Sequence, residues 1–285
     1  SFWRLIRELA AEGRAPRLVA LENVRGTLTS HGGRDFAAIG QALAEAGYRF
    51  GALLIDAADF LPQSRPRLFI VAVHADVAIP AELTLDAPDR RWQPPALVAA
   101  HAALDECARD HVVWWRLPEP PARTATLADL LEPEPAGVAW RSRAETERLL
   151  ELMAPLHRAK VEAARRQPGP VVGTLYKRVR QLPDGTRGQR AEVRFDGIAG
   201  CLRTAAGGSS RQSLVLIEGG EICSRLLSPR EAARLMGLPE TYRLPAAYNE
   251  AYHLAGDGVA VPVVRFLAEH LLEPLTRSCE MGDRD

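Results

Sequence analysis

Helical patterns and short apolar runs alternate through the first seventy-five residues, and this alternation limits the fold more than any other feature of the chain. Phe2, Leu5, Ile6 and Leu9 recur at helical spacing, and Gly13 stands just past the last turn. Leu18, Val19, Ala20 and Leu21 form a wholly apolar run of the kind found in buried parallel strands, and it stops at Glu22-Asn23. A second amphipathic helix is expected over 35–46 (Phe36, Ile39, Leu43), with Gly47 where a C′ glycine belongs. Strands follow at 50–55 and 68–73, joined by 56–67. Helices interleaved with apolar strands indicate the α/β class with an open sheet.

From Pro80 to about Pro170 the pattern dissolves among recurring prolines. One helix is expected there, over 144–166, kinked at Pro155. Strands at 171–180 and 190–194 flank Pro183-Asp184-Gly185, where proline presets φ and glycine accepts a positive one. This stretch reads as a second, irregular domain. Ser228-Pro229-Arg230-Glu231 then spells a helix start: Ser228 as N-cap, Pro229 at the first helical position, Glu231 closing a capping box. Gly237 ends that helix and Pro239 prevents its extension. A turn at Gly256-Asp257-Gly258 precedes an apolar helix over 261–272. The organisation expected is 1–78, 79–225 and 226–285.

Composition excludes several classes. The chain has 36 Lys+Arg against 36 Asp+Glu and is 47% hydrophobic, which does not suit a disordered tail. No apolar run reaches the roughly 18 residues of a membrane span, and no signal-peptide pattern opens the sequence. Cys107, Cys201, Cys223 and Cys279 are far apart and form no C-x-x-C pair. Neither a disulfide framework nor a structural zinc is expected, and a reducing cytoplasm is the natural setting. Lys160 and Lys177 are the only lysines among 36 cationic residues, so 34 are arginines. Arginine suits phosphates and guanine edges; GC-rich coding DNA explains the same bias. The sequence opens at Ser1 within a helical pattern and reads as the remainder of something longer.

Two polar clusters end apolar runs. Glu22 and Asn23 directly follow a strand, and ligands of open α/β sheets bind beyond the carboxyl ends of strands. Glu22 either points into that crevice or caps the next segment. Arg65 and Arg67 lie two apart just before the strand at 68–73, so an extended backbone puts both on one side. They suit a base oxygen together with a phosphate or carboxylate, or else they solvate a strand edge.

Together these pieces resemble the DNA cytosine-5 methyltransferases. Glu22-Asn23-Val24 resembles that family's ENV motif, and Gln63-Ser64-Arg65-Pro66-Arg67 resembles its QxRxR motif. The stretch 225–239 is similar to the helix before its last motif, and Gly256-Asp257-Gly258-Val259 resembles the last motif itself, with Asp257 where asparagine is usual. The resemblance implies part of a Rossmann-like methyltransferase sheet and a second, smaller, irregular DNA-recognition domain in the weakly matching middle. That middle holds a basic ribbon over 174–194, with six cations (Lys177, Arg178, Arg180, Arg187, Arg190, Arg194) against Asp184 and Glu192. As a hairpin it either enters a DNA groove or is simply solvated. Residues 200–210 resemble the motif that supports the recognition domain, with Arg203, Gly207 and Gly208 as candidates for approaching the DNA; an ordinary loop is the other reading.

The resemblance also implies a mechanism. A cytosine in double-stranded DNA is flipped into a pocket, a thiolate adds to C6, and C5 takes the methyl group of S-adenosylmethionine. Glu22 would hydrogen-bond N3 and the exocyclic amine, with Asn23 beside it. Arg65 would donate to O2, and Arg67 would brace the pocket or a phosphate. Asp257, Gly258 and Val259 would line the cofactor pocket. The family's Pro-Cys nucleophile and glycine-rich loop precede ENV, yet no cysteine and no glycine-rich loop stands ahead of Glu22 here. The chain is therefore expected to be silent alone and to need a chain or segment that carries those motifs. Three readings stay open: part of such an enzyme, within a restriction-modification pair or solitary; a non-catalytic, sequence-specific DNA-binding module; or an unrelated nucleotide-binding α/β protein.

Overall fold

The computed structural model describes residues 2–182, 185–203 and 211–281. They form two compact units: Ser1–Asp56, Pro66–Pro120 and Arg265–Asp285 in the first, Ala57–Arg65 and Pro121–Val264 in the second.

In the first unit the apolar runs become β1 (Leu18–Val24), β2 (Tyr48–Asp56) and β3 (Pro66–His74), in sheet order β1-β3-β2. The sequence predicts a parallel neighbour for β1, but β3 is antiparallel to both other strands, with Leu21 opposite Ile70 and Leu53 opposite Phe69. The expected burial fails as well: β1 lies at the edge of this sheet and only Val19 of the run is buried, so the apolar run foretold neither its direction nor its place in the sheet. β1 and β2 do run the same way, joined by α2 (Arg34–Glu45), and β3 lies between them.

Phe36 and Leu43 of α2 are buried with Tyr48, Phe50, Leu68 and Ile70. Burying each of the larger side chains contributes about 1.5–3 kcal/mol. Gly40 lets α2 sit this close: a Cβ there would lie 2.9 Å from Phe50. Helix α1 (Phe2–Ala11) gives Ile6 to this core and leaves Phe2 and Leu5 exposed. Beyond the short strand β4 (Thr84–Leu85), α3 (Pro95–Ala102), α4 (Glu106–Asp110) and β5 (Trp114–Trp115) complete the layer. The buried Trp115 indole donates to Gly51 O and Val71 O, both at 3.2 Å.

The second unit holds α5 (Arg143–Glu151) and α6 (Pro155–Arg165) in place of the one kinked helix that the sequence predicts. Ala154 is extended (φ −66°, ψ 158°). Proline disfavours the helical region for the residue before it and is itself well suited to the first helical position, and here the chain stops and restarts. Strands β6 (Val171–Gln181), β7 (Arg187–Arg194), β8 (Ser213–Glu218) and β9 (Glu221–Leu226) form an antiparallel sheet in the order β7-β6-β8-β9. Leu175, Val193, Val215 and Ile217 pack there with Met153 and Val161. Pro183 and Asp184 of the predicted turn lie outside the described residues, while Gly185 has φ +80°.

Helix α7 (Pro229–Leu235) carries the predicted capping box, with Ser228 accepting from the Glu231 amide and Glu231 from the Ser228 amide. Gly256 and Asp257 are not in a turn but form the last residues of α8 (Tyr248–Asp257), and Gly258 is extended at its C-cap. The helix predicted to end at Leu272 runs on: α9 (Val261–Leu267) passes through a π-helical turn (Ala268–Leu272) into α10 (Glu273–Met281).

Candidate active site

Glu22 and Asn23 lie inside β1 rather than beyond its end as the sequence predicts, because pairing with β3 runs on to Val24; Glu22 lies opposite Phe69, and Val24 opposite Arg67. Alternation along two paired strands therefore places the Glu22 and Arg67 side chains on one face as diagonal neighbours. Arg67 Nε sits 2.7 Å from Glu22 Oε1, with side-chain exposures of 15% and 32%. The pair is shielded enough to be ordered and open enough to be reached. Arg67 also donates to Pro66 O at 3.1 Å. Asn23 is exposed and its Oδ1 accepts from the Val24 amide at 2.8 Å.

Arg65 is arranged differently. It precedes β3, so the strand alternation that would put it beside Arg67 does not reach it. Its guanidinium is buried (3% exposed) and turned onto backbone carbonyls. One NH group donates to Leu202 O at 2.9 Å, the other to Gly256 O at 2.9 Å and Gly258 O at 2.7 Å. The guanidinium that meets Glu22 is Arg67's.

Gln63, fully buried, completes the stitching: its Nε2 donates to Leu235 O at 2.6 Å, and its Oε1 accepts from the Leu202 amide at 3.0 Å. A buried amide that satisfies two distant backbone groups is worth more as a constraint than as a net energy. Sequence reading quoted Gln63 as part of a motif but gave it no task. Its partners lie more than 130 residues away, and only a fold can reveal them.

Asp257 is exposed at the end of α8, and Val259 is half-buried. The Gly258 amide donates to Leu254 O at 3.1 Å, closing the helix. Arg65 thus ties the Gly256–Gly258 backbone to the segment that leads into residues 204–210, which include Gly207 and Gly208 and lie outside the described residues.

On the β6–β7 ribbon, Arg178 and Arg180 line a cavity of about 360 Å³ together with Tyr176, Lys177, Arg203 and Gln212. The Arg178 guanidinium lies 4.5 Å from the centroid of the Tyr176 ring. Glu192, on β7, holds Arg180 at 2.6 Å and stands 3.9 Å from Arg178. Burial disfavours the Glu192 carboxylate, but hydrogen bonds from Arg180 and Tyr176 more than offset that, so its pKa lies below the usual range.

Also within this unit, Arg225 and Glu231 form a buried bidentate pair, with N–O distances of 2.7 and 2.6 Å and exposures of 1% each. The capping box announced Glu231, but nothing local announced its second partner.

The type II methyltransferase M1.ScrFI of Lactococcus lactis subsp. cremoris is 27% identical over 276 residues, spanning 96% of this chain and 55% of the relative. The DNA-cytosine methyltransferase of Escherichia coli K12 is 27% identical over 293 residues, spanning 96% of this chain and 52% of its own. M.HhaI of Haemophilus parahaemolyticus, another type II methyltransferase, is 23% identical over 270 residues, spanning 94% and 65%. The chain therefore spans between about half and two thirds of these relatives. The solved structure of the Entamoeba histolytica methyltransferase EhMeth shares the fold, with a TM-score of 0.51 at 14% identity over 96% of this chain and 68% of that one. The C-5 cytosine-specific DNA methylase family matches residues 1–273, and the chain belongs to that family.

Proposed function

We propose that this chain supplies the base-holding and DNA-reading parts of a DNA cytosine-5 methyltransferase that acts on double-stranded DNA in the cytoplasm. The observation that carries this reading is the Glu22–Arg67 pair, 2.7 Å apart and partly open to solvent. A cytosine extruded from the stack presents N3 and its exocyclic amine on one edge, with O2 adjacent. A carboxylate suits the amine and a proton at N3; a guanidinium suits O2. In this reading Glu22 accepts from the amine and keeps a proton at N3, while Arg67 donates to O2, where negative charge grows as a thiolate adds to C6. Both groups are held before the base arrives, so little reorganisation is needed as that charge develops.

The O2 contact thus passes to Arg67 from Arg65, to which the family resemblance assigns it. Arg65 becomes a positioning residue that fixes the backbone of Gly256 and Gly258. The exposed Asp257 carboxylate next to them fits the ammonium group of S-adenosylmethionine, and Gly258 and Val259 would present backbone to it. When bound, that cofactor supplies an electrophilic methyl group on a sulfonium. We infer that the attacking thiolate and the glycine-rich loop come from polypeptide outside these 285 residues, since neither stands ahead of Glu22 in the sequence. The ribbon of Arg178 and Arg180, with Arg203, would bind the duplex.

The test mixes the chain with a segment that bears those motifs and follows transfer of labelled methyl groups to DNA. Glu22→Gln and Arg67→Ala are each expected to lower transfer by about a hundredfold or more, with duplex affinity changed by less than about threefold. Equal losses of transfer and affinity would refute the base-holding role. The cavity lined by Arg178, Arg180 and Arg203 favours a second reading, a DNA-binding module without chemistry. It predicts binding that falls steeply with salt, and no transfer under any mixture.

A further inference from the structure

We propose that Arg180 reads a guanine in the major groove of the recognised duplex, and that Glu192 is the positioning residue that aims it. This rests on the reading of the chain as a DNA-acting protein. A two-stranded ribbon fits the major groove, so the faces of β6 and β7 decide what it could read there. Tyr176 lies opposite Glu192, Arg178 opposite Arg190 and Arg180 opposite Gly188. These residues share one face, since the alternate positions Leu175, Ala191 and Val193 are buried in the core beneath. Across from Arg180, Gly188 has no side chain, and Leu182 packs against it in that place.

The carboxylate is low and the guanidinium is high: the Glu192 side chain is 13% exposed and that of Arg180 49%. Glu192 Oε1 takes both Nε of Arg180, at 2.7 Å, and its NH2, at 2.6 Å. These bonds grip the inner edge of the planar fork and fix its orientation. The outer edge, formed by the NH1 and NH2 groups, has the geometry for a bidentate contact with guanine O6 and N7. Arg178 is held less firmly, by its face over Tyr176 and at 3.9 Å from Glu192.

The same geometry argues against a phosphate as the partner of Arg180. A phosphate accepts from almost any direction and needs no aimed fork. It would also bring a second negative charge next to Glu192, which remains ionised. A neutral acceptor edge avoids that repulsion and uses the alignment.

The experiment selects duplexes with a randomised centre on the full chain, then measures affinity for the selected duplex and its single-base variants. The wild type is expected to select a guanine whose replacement costs about tenfold or more in affinity. Arg180→Lys keeps the charge but loses the fork, so preference at that position should fall to near even while affinity for scrambled duplex changes less than about threefold. Glu192→Gln and Glu192→Ala should relax the same position while affinity for scrambled duplex holds or rises, because a negative charge is lost. A merely structural Glu192 would lower affinity for all sequences alike. A uniform loss for Arg180→Lys, or a guanine preference untouched by both Glu192 variants, would overturn the inference and leave the proposed function standing. A wild-type chain that binds no duplex would overturn both.

Discussion

Replacing Glu231 by glutamine changes one atom and should loosen much of the second unit. The carboxylate accepts four hydrogen bonds in the structure. Arg225 gives two, at 2.7 and 2.6 Å, the Ser228 amide one at 2.8 Å and the Glu132 amide one at 3.0 Å. Each oxygen serves one guanidinium nitrogen and one backbone amide. Glutamine keeps one such oxygen and turns an NH2 towards the other two donors. It also leaves the Arg225 guanidinium, 1% exposed, without its counter-charge. Breaking a buried pair from one side costs about 3–5 kcal/mol, of which a capping contact accounts for roughly 1 kcal/mol.

Hydrogen exchange at the α7 amides reads the opening free energy directly, without assuming that a chain of two units unfolds in one step. The expected loss for Glu231→Gln is about 3 kcal/mol. A double variant, Arg225→Met with Glu231→Leu, should recover most of it, because no charge is then stranded. Burial raises the Glu231 pKa, but the bonds from Arg225 and the two amides outweigh it, so the folded value lies below the usual one. A depressed folded pKa means that this contribution is present above about pH 4.3, the usual unfolded value, and is lost as pH falls through the folded pKa. The variant should lack that acid slope. A loss under about 1 kcal/mol, the range of exposed pairs, would refute the reasoning.

Two further perturbations address groups that the fold buries. His101 is 3% exposed, burial lowers its pKa, and its Nδ1 faces Leu97 O at 2.9 Å. Its folded pKa is depressed, so its share of stability is present above about pH 6.5 and is lost as pH falls towards the folded value. In His101→Phe the slope of stability between about pH 7 and 5 should flatten in a denaturation series, and an unchanged slope would show that another group titrates there. Arg65→Lys replaces a fork that spans three carbonyls with a single ammonium. It should reduce exchange protection at the Gly258 amide, with a cost of about 1–3 kcal/mol for each carbonyl left unpaired; full protection would remove Arg65 as the tie.

How much of this was legible in the sequence depends on the range of the interaction. The capping box at Ser228 and Glu231 and the helix over Phe2–Ala11 follow from residues a few positions apart, and both are present. The placing of β3 between β1 and β2 does not follow, because hydrophobic runs carry no direction. The break before Pro155 was visible in kind but not in degree: proline's steric rule makes a full restart as consistent with the sequence as a kink. Of the three partners of Glu231, Ser228 is local, while Arg225 pairs with it through a strand-to-helix corner and the Glu132 amide reaches it from 99 residues away, and no local rule describes either. The carboxylate at Glu22 stood out in sequence as the polar residue that ends an apolar run, though the strand itself continues to Val24, and its cationic neighbour was not legible, because Arg65 and Arg67 look alike in sequence.

What separates those two arginines is the residue between them. Pro66 opens β3 opposite Asp56 and has no N–H to give to the ladder, as suits the first residue of a strand. After it, pairing with β1 sets the alternation, and alternation puts Arg67 on the face of Glu22. Before it, the backbone is bound elsewhere: Arg65 O accepts from the Ala57 amide at 3.2 Å, and the Ser64 amide donates to Ala199 O at 2.9 Å. A five-residue stretch thus holds two kinds of work. Gln63 and Arg65 spend their donors on backbone carbonyls and so fix chain segments, while Arg67 meets a side-chain carboxylate that stays partly open to solvent. Arginine suits both tasks for one reason, a rigid fork of donors that never loses its charge. The residue type therefore says that something planar or anionic is held, and only the strand boundary at Pro66 says which arginine holds the backbone and which pairs with Glu22.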